Sequence, residues 1–241
     1  MKIAIIGAAG RMGNMLCSLA QAHGCEVVSK VDVSPGYEST WSEDVEGVID
    51  FSFHAAIPEL IAKAVSAGIP YVIGTTGFSR EEQDKIDEAA EFIPIVQSGN
   101  YSLGVNLLLE LVSKAAKTLG EDYDVEITEF HHKHKKDAPS GTALMLAKAA
   151  ADSRGCKDPF VCGRQGETGE RRTGEIAVHA LRGGSVIGEH NVIFAGEVER
   201  VEIAHKAEGR QAFAAGALKA LLWAKDQKPG LFSMRDVLGF N

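Results

Sequence analysis

Two segments of the 241-residue chain carry residue types that can do chemistry. The first is glycine-rich: Gly7, Ala8, Ala9, Gly10, Arg11, Met12 and Gly13. Glycines at this spacing let the backbone come close to a pyrophosphate, and the N–H groups at a helix start meet its charge. The usual dinucleotide fingerprint is G-x-G-x-x-G; here Ala9 takes the middle glycine's place and Gly10 follows. Asp32 falls where a carboxylate accepts hydrogen bonds from the adenosine ribose hydroxyls. Two further small polar loops, Gly74-Thr75-Thr76-Gly77 and Ser98-Gly99-Asn100-Tyr101, suit a nicotinamide and its ribose. Val33 and Ser34 follow Asp32, so no arginine stands beside it to receive a 2′-phosphate. NADH is therefore expected to serve at least as well as NADPH, with Arg11 and Lys30 leaving dual use open.

The second segment is Glu129-Phe130-His131-His132-Lys133-His134-Lys135-Lys136-Asp137-Ala138-Pro139-Ser140-Gly141-Thr142-Ala143. Basic residues are crowded here although the chain has 25 basic against 33 acidic residues, so the local charge opposes the global one. One reading is a solvated basic loop. A second is a metal site through His131, His132 and His134, although catalytic metal sites usually add a carboxylate or a spaced histidine. A third is a site for an anionic small molecule, because the cations precede Ser140, Gly141 and Thr142, a capped helix start able to take a carboxylate. Lys133 and Lys136 read as solvated. His132 and His134 fit a plain loop as well as a ligand site.

The elements that must position these segments alternate in the first half. Lys2–Ile6 reads as a buried parallel strand, followed by the glycine loop and a helix to about Ala22. Strands are expected over Glu26–Asp32, Val48–Ser52, Tyr71–Ile73 and Ile93–Val96. Helices are expected over Ile57–Ser66 and, from a Ser79/Glu82 capping box, to about Glu91. Strand, loop and helix repeated with short connections predict a Rossmann-type doubly wound parallel sheet. Beyond residue 102 the pattern changes. Helices are expected over Gly104–Leu119, from a Ser140 cap to Ser153, and over Gln211–Lys225. Strands are expected over Tyr123–Phe130 and near Glu175–Leu181, Asn191–Phe194 and Val198–His205. That implies a second α+β domain with a mixed or antiparallel sheet, closed by a tail over Leu231–Phe240.

Composition narrows the function classes. Hydrophobic residues make up 45% and charged residues 24%, enough apolar content for a folded core. The net charge of −8 argues against general binding to nucleic-acid phosphates. No apolar run is long enough for a membrane helix, and the N-terminus lacks a secretory pattern, so a cytoplasmic protein is expected. The scattered Cys17, Cys25, Cys156 and Cys162 suggest neither disulfides nor zinc.

The His131–Ala143 segment resembles the signature of the dihydrodipicolinate (4-hydroxy-tetrahydrodipicolinate) reductase family of the diaminopimelate route to lysine. Gly7–Gly13, Asp50-Phe51-Ser52, Gly74–Phe78, Asn100-Tyr101-Ser102, Arg182-Gly183-Gly184, Gly188-Glu189-His190, Phe194-Ala195-Gly196, Glu202–His205 and Leu231–Leu238 also resemble family blocks, in order. The resemblance implies hydride transfer from NAD(P)H to a cyclic unsaturated dicarboxylic imine, giving tetrahydrodipicolinate. It implies His131 as proton donor, Lys135 as the charge that balances the developing anion, and His132, Ser140, Gly141 and Thr142 as substrate-binding residues. It also implies that residues 212–241 rejoin residues 1–102 in the dinucleotide-binding domain, leaving 103–211 for substrate binding and oligomerisation in a homotetramer. Two alternatives remain at this stage: another two-domain amino-acid-type NAD(P) dehydrogenase, and a non-catalytic dinucleotide-sensing module.

Overall fold

The computed structural model describes residues 1–156 and 160–240. The chain forms two compact units. One holds Met1–Leu103 and the chain from Arg210 onward; the other holds Gly104–Gly209.

The first unit is built on six parallel strands: β1 (Lys2–Ile6), β2 (Glu26–Val31), β3 (Gly47–Asp50), β4 (Tyr71–Ile73), β5 (Pro94–Gln97) and β11 (Gly230–Phe232). Their order is β11-β5-β4-β3-β1-β2, with every neighbouring pair parallel. The central strands β1, β3, β4 and β5 are mostly apolar because helices cover both faces, whereas the edge strand β2 carries Glu26, Ser29 and Lys30. Alternate residues of β1 feed the two covers. Ile3 and Ile5 pack with Leu16 of α1 (Arg11–Leu19) and Leu218 of α6 (Gln211–Ala224). Ala4 and Ile6 pack with Ile57 and Ile61 of α2 (Ile57–Ala67) and Ile86 of α3 (Arg80–Ala90). After β2 the chain crosses β1 to lay down β3 on its other side, which makes the carboxyl ends of β1 and β3 a topological switch point where such sheets bind ligands.

The second unit carries α4 (Leu103–Leu119), β6 (Asp124–His131), α5 (Gly141–Arg154), β7 (Val161–Cys162), β8 (Ile176–Arg182), β9 (Glu189–Ala195) and β10 (Arg200–Lys206). The sheet order is β10-β9-β6-β8-β7. Strand β6 runs parallel to β8 and antiparallel to β9, so the sheet is mixed. Val125 and Ile127 of β6 pack with Val112 of α4 and Leu146 of α5. Each such fully buried aliphatic side chain contributes roughly 1.5–3 kcal/mol over an exposed one.

Three details depart from the sequence pattern. Helix α1 stops at Leu19 and a short 3-10 turn over Gln21–His23 follows, closed by Gly24 at φ 75°. The segment expected as a closing tail instead adds β11 to the sheet and forms α7 (Met234–Leu238), with a capping box between Ser233 and Asp236. The two-residue strand β7 lies where no strand is expected, since two residues carry no period.

Candidate active site

Glycines 7 and 13 are required by the chain itself. Gly7 holds φ 77°, and a Cβ there would overlap the Phe51 carbonyl; a Cβ on Gly13 would overlap the Gly7 carbonyl. The N–H groups of Gly7 and Ala8 both donate to the Val31 carbonyl, at 2.9 and 3.1 Å. Gly10 caps α1 without a side chain, so no hydroxyl or carboxylate of its own occupies the first-turn N–H groups. That leaves the start of α1 able to receive a phosphate. Asp32 ties to this loop: its Oδ2 accepts from the Ala9 N–H at 3.0 Å and its Oδ1 from the Ser34 N–H at 2.9 Å. Hydrogen bonds from Ser34 hold its carboxyl below the usual carboxylate range. A cavity of about 550 Å³ opens here, lined by Gly7, Gly10, Asp32, Phe51, Phe53 and Leu60 among others.

A smaller cavity of about 250 Å³ adjoins Arg11, Met12, Gly74, Gly99, Asn100 and Tyr101. Gly74 is fixed by packing, since a Cβ would enter the Phe51 ring. Thr75 is buried and its hydroxyl donates to Asp50 at 3.2 Å, whereas Thr76 is exposed. Asp50 gathers the Ser52 N–H and hydroxyl, the Tyr71 hydroxyl and the Thr75 hydroxyl. Burial pushes its carboxyl up, against those hydrogen bonds. Asp50 thus braces the turns after β3 and β4. The Tyr101 hydroxyl lies 2.7 Å from the Ile73 carbonyl and 2.9 Å from that of Val96. Its phenol therefore clamps β4 to β5, while the residue also lines the smaller cavity. Ser98 and Asn100 shape their own loop, with the Ser98 hydroxyl donating to the Asn100 carbonyl and Asn100 Oδ1 accepting from the Ser102 N–H.

The basic segment is organised around a carboxylate two residues upstream. Glu129 and His131 share one face of β6 because side chains alternate along a strand. The Glu129 side chain has no exposed surface, and its Oε2 lies 2.5 Å from His131 Nδ1. Arg182, paired with His131 across to β8, donates from both Nη atoms to Glu129 at 2.8 Å. The Ser140 N–H also donates to Glu129, at 3.0 Å. Burial alone would raise the Glu129 carboxyl, but the Arg182 guanidinium, His131 and the Ser140 N–H together hold it below the usual range.

Ser140 caps α5, its hydroxyl oxygen accepting from the Ala143 N–H and lying 3.1 Å from His190 Nε2. No acidic residue sits in the first turn of α5, so its positive end is unopposed there. Gly141 is exposed and a Cβ on it would meet nothing within 4 Å, so the fold does not require a glycine at that position. Thr142 follows in the same turn. Lys135 donates to Asp137 at 2.9 Å, and His132 lies on the same loop with its ring 6.3 Å from that of His134. Lys133, His134 and Lys136 are exposed. His190 is buried edge-on to His131, ring centroids 5.2 Å apart, and burial, with the nearby His131, lowers it to about 4. Glu129 and His131 at i and i+2 were the one visible sign of this network; Arg182 and His190 lie too far along the chain for spacing to reveal.

Among the described residues no group of three or more His, Cys, Asp or Glu side chains could hold a metal ion. All four cysteines are free thiols. No described helix is long and apolar enough to cross a membrane.

Comparison with known proteins bears on both units. Residues 1–101 match the family model for the N-terminus of dihydrodipicolinate reductase, and residues 104–238 match that for its C-terminus. A 4-hydroxy-tetrahydrodipicolinate reductase of Brucella abortus is 48% identical, with 100% of each chain covered. One from Caldanaerobacter subterraneus is 46% identical, with 98% of each covered. A dipicolinate-bound dihydrodipicolinate reductase from Paenisporosarcina sp. superposes with a TM-score of 0.78 at 25% identity, covering 97% of each chain. A probable dehydrogenase from Thermotoga maritima, at 13% identity and a TM-score of 0.61, shares the fold.

Proposed function

This chain belongs to the dihydrodipicolinate reductase family, and from that membership we propose that it reduces 4-hydroxy-tetrahydrodipicolinate to tetrahydrodipicolinate in the diaminopimelate route to lysine. The observation that carries the reading is Glu129, which joins the candidate proton donor His131 to the helix start at Ser140 through two hydrogen bonds. A proton source and a carboxylate-binding helix start are thereby set side by side.

The glycine loop and Asp32 would hold the adenosine end of NAD(P)H, and the loops at Gly74–Thr76 and Ser98–Tyr101 its nicotinamide end. When bound, that cofactor supplies the hydride. The N–H groups around Gly141, with Thr142 and His132, hold the dicarboxylate. Lys135 balances the negative charge that develops on the substrate as hydride arrives. His131 then gives its proton to the electron pair left on the substrate. Asp32 repels a 2′-phosphate, so NADH serves at least as well as NADPH. Residues 1–102 with 212–241 form the dinucleotide-binding domain in this reading, and 103–211 bind substrate. A cytoplasmic homotetramer joined through the second sheet completes it.

The test is spectrophotometric. Purified protein, supplied with the product of dihydrodipicolinate synthase, should oxidise NADH and NADPH only when that product is present. No substrate-dependent oxidation of either would end the reading; a strong NADPH preference would end its cofactor part.

A further inference from the structure

We infer that Glu129 is a positioning residue that fixes His131 with a proton on Nδ1 and leaves Nε2 as the proton-exchanging atom, with Arg182 as the brace that ties this pair to Lys135. The inference deepens the proposed reaction and rests on it. An imidazole that hands over a proton at one nitrogen is oriented through the other. His131 Nδ1 is already engaged, 2.5 Å from Glu129 Oε2. For the pair to work, Glu129 must stay an anion and must not drift. Arg182 meets both of its oxygens at 2.8 Å and the Ser140 N–H adds a third contact at 3.0 Å. Those contacts also keep its carboxyl below the usual range despite burial.

The brace continues into the loop. Arg182 Nη2 donates to the Asp137 carbonyl at 2.6 Å, and the Asp137 carboxylate accepts from Lys135 Nζ at 2.9 Å. One guanidinium therefore sets both the strand bearing His131 and the loop bearing Lys135. The far side of the imidazole is limited by Gly188, where a Cβ would stand 3.0 Å from His131 Nε2. Any side chain at 188 would press on the atom that exchanges the proton. His190 is neutral at neutral pH, so it packs against His131 without repelling its charged form.

The first test needs no turnover. Nitrogen NMR of the intact protein should show neutral His131 as the Nδ1–H tautomer; an Nε2–H tautomer would overturn the inference. The second is kinetic. Glu129→Gln keeps the side-chain shape but removes the charge, and should lower kcat by roughly 10². Substrate KM should stay within about threefold, and the NADH dissociation constant should not change. Glu129→Asp, which restores the charge, should recover part of kcat. A Glu129→Gln enzyme within twofold of wild-type kcat would overturn the inference. If that variant does not fold, Gly188→Ala decides together with the tautomer. It adds one methyl outside the carboxylate network and should lower kcat about tenfold or more with an unchanged melting temperature; unchanged kcat would count against the inference. Failure of the proposed reaction itself would appear separately, as a wild-type protein that oxidises no cofactor while its His131 tautomer can still be read.

Discussion

Two helix starts in this molecule present backbone N–H groups beside glycines, and the glycines are there for opposite reasons. At the start of α1, Gly7 and Gly13 are demanded by the chain's own backbone, because a Cβ at either would overlap a carbonyl oxygen. At the start of α5, Gly141 faces open space and nothing in the fold forbids a side chain. The first loop is a folding device that also fits a phosphate. The second is a place kept clear, and in the proposed function what needs the clearance is a substrate carboxylate. The side chains differ in the same way. Asp32 works from the surface, whereas His131 is held by a buried Glu129 and Arg182.

The comparison breaks most visibly if chemistry fails to follow the second unit. His131→Ala and Lys135→Ala should each lower kcat by roughly 10² to 10⁴, while NADH binding and the melting temperature stay near wild type. Near-normal kcat in His131→Ala at saturating substrate would assign the proton to another group. The glycines sharpen the contrast next. Gly13→Ala should cost about 3 kcal/mol or more of stability, since rigid backbone must move to admit the methyl. Gly141→Ala should stay within about 0.5 kcal/mol in denaturant unfolding, yet raise substrate KM about tenfold. Equal stability losses would erase the distinction.

A third prediction concerns pH. His190 sits at about 4 in the fold, below its ordinary 6.5. As the pH falls the unfolded chain takes up that proton first, so stability is intact above 6.5 and lost progressively down to about 4. The full shift corresponds to about 3 kcal/mol. His190→Gln should show that much less acid sensitivity in this window; identical pH profiles would mean that His190 does not titrate as its burial implies. The smallest effect belongs to the first unit: Asp32→Ala should weaken NADH about tenfold relative to NADPH, as one hydrogen-bonding carboxylate is worth. Equal weakening of both would leave Asp32 only its ties to Ala9 and Ser34.

What could be read in the sequence follows from how far apart the interacting residues lie. The Ser79–Glu82 box is local, and both of its hydrogen bonds are present. The same holds for Ser140, which caps α5 as its position suggests. The parallel sheet is legible because strands such as Ile3–Ile6 are apolar on both faces, a period no half-exposed strand shows. Strand β11 escapes notice because, unlike the equally short but fully buried and apolar β4, it begins with a glycine and is only partly buried, and its partner β5 lies far back in the chain. The candidate site divides similarly. The glycine loop is contiguous, so its spacing is visible. Arg182 meets Glu129 across 53 residues, and Gly188 abuts His131 across a strand connection, so only the folded sheet brings them together. Tyr101 shows both cases: its place in a loop at a strand end is legible, whereas the tie of its hydroxyl to two strand carbonyls appears only in the fold.

The central claim is that binding divides between the units, with the cofactor at the start of α1 and the dicarboxylate at the start of α5. Its most direct test is a paired titration of Thr142→Val with NADH and with pyridine-2,6-dicarboxylate. The account predicts a weakened dicarboxylate, by about tenfold, beside an unchanged NADH dissociation constant. Equal loss of both, or loss of neither, would contradict it.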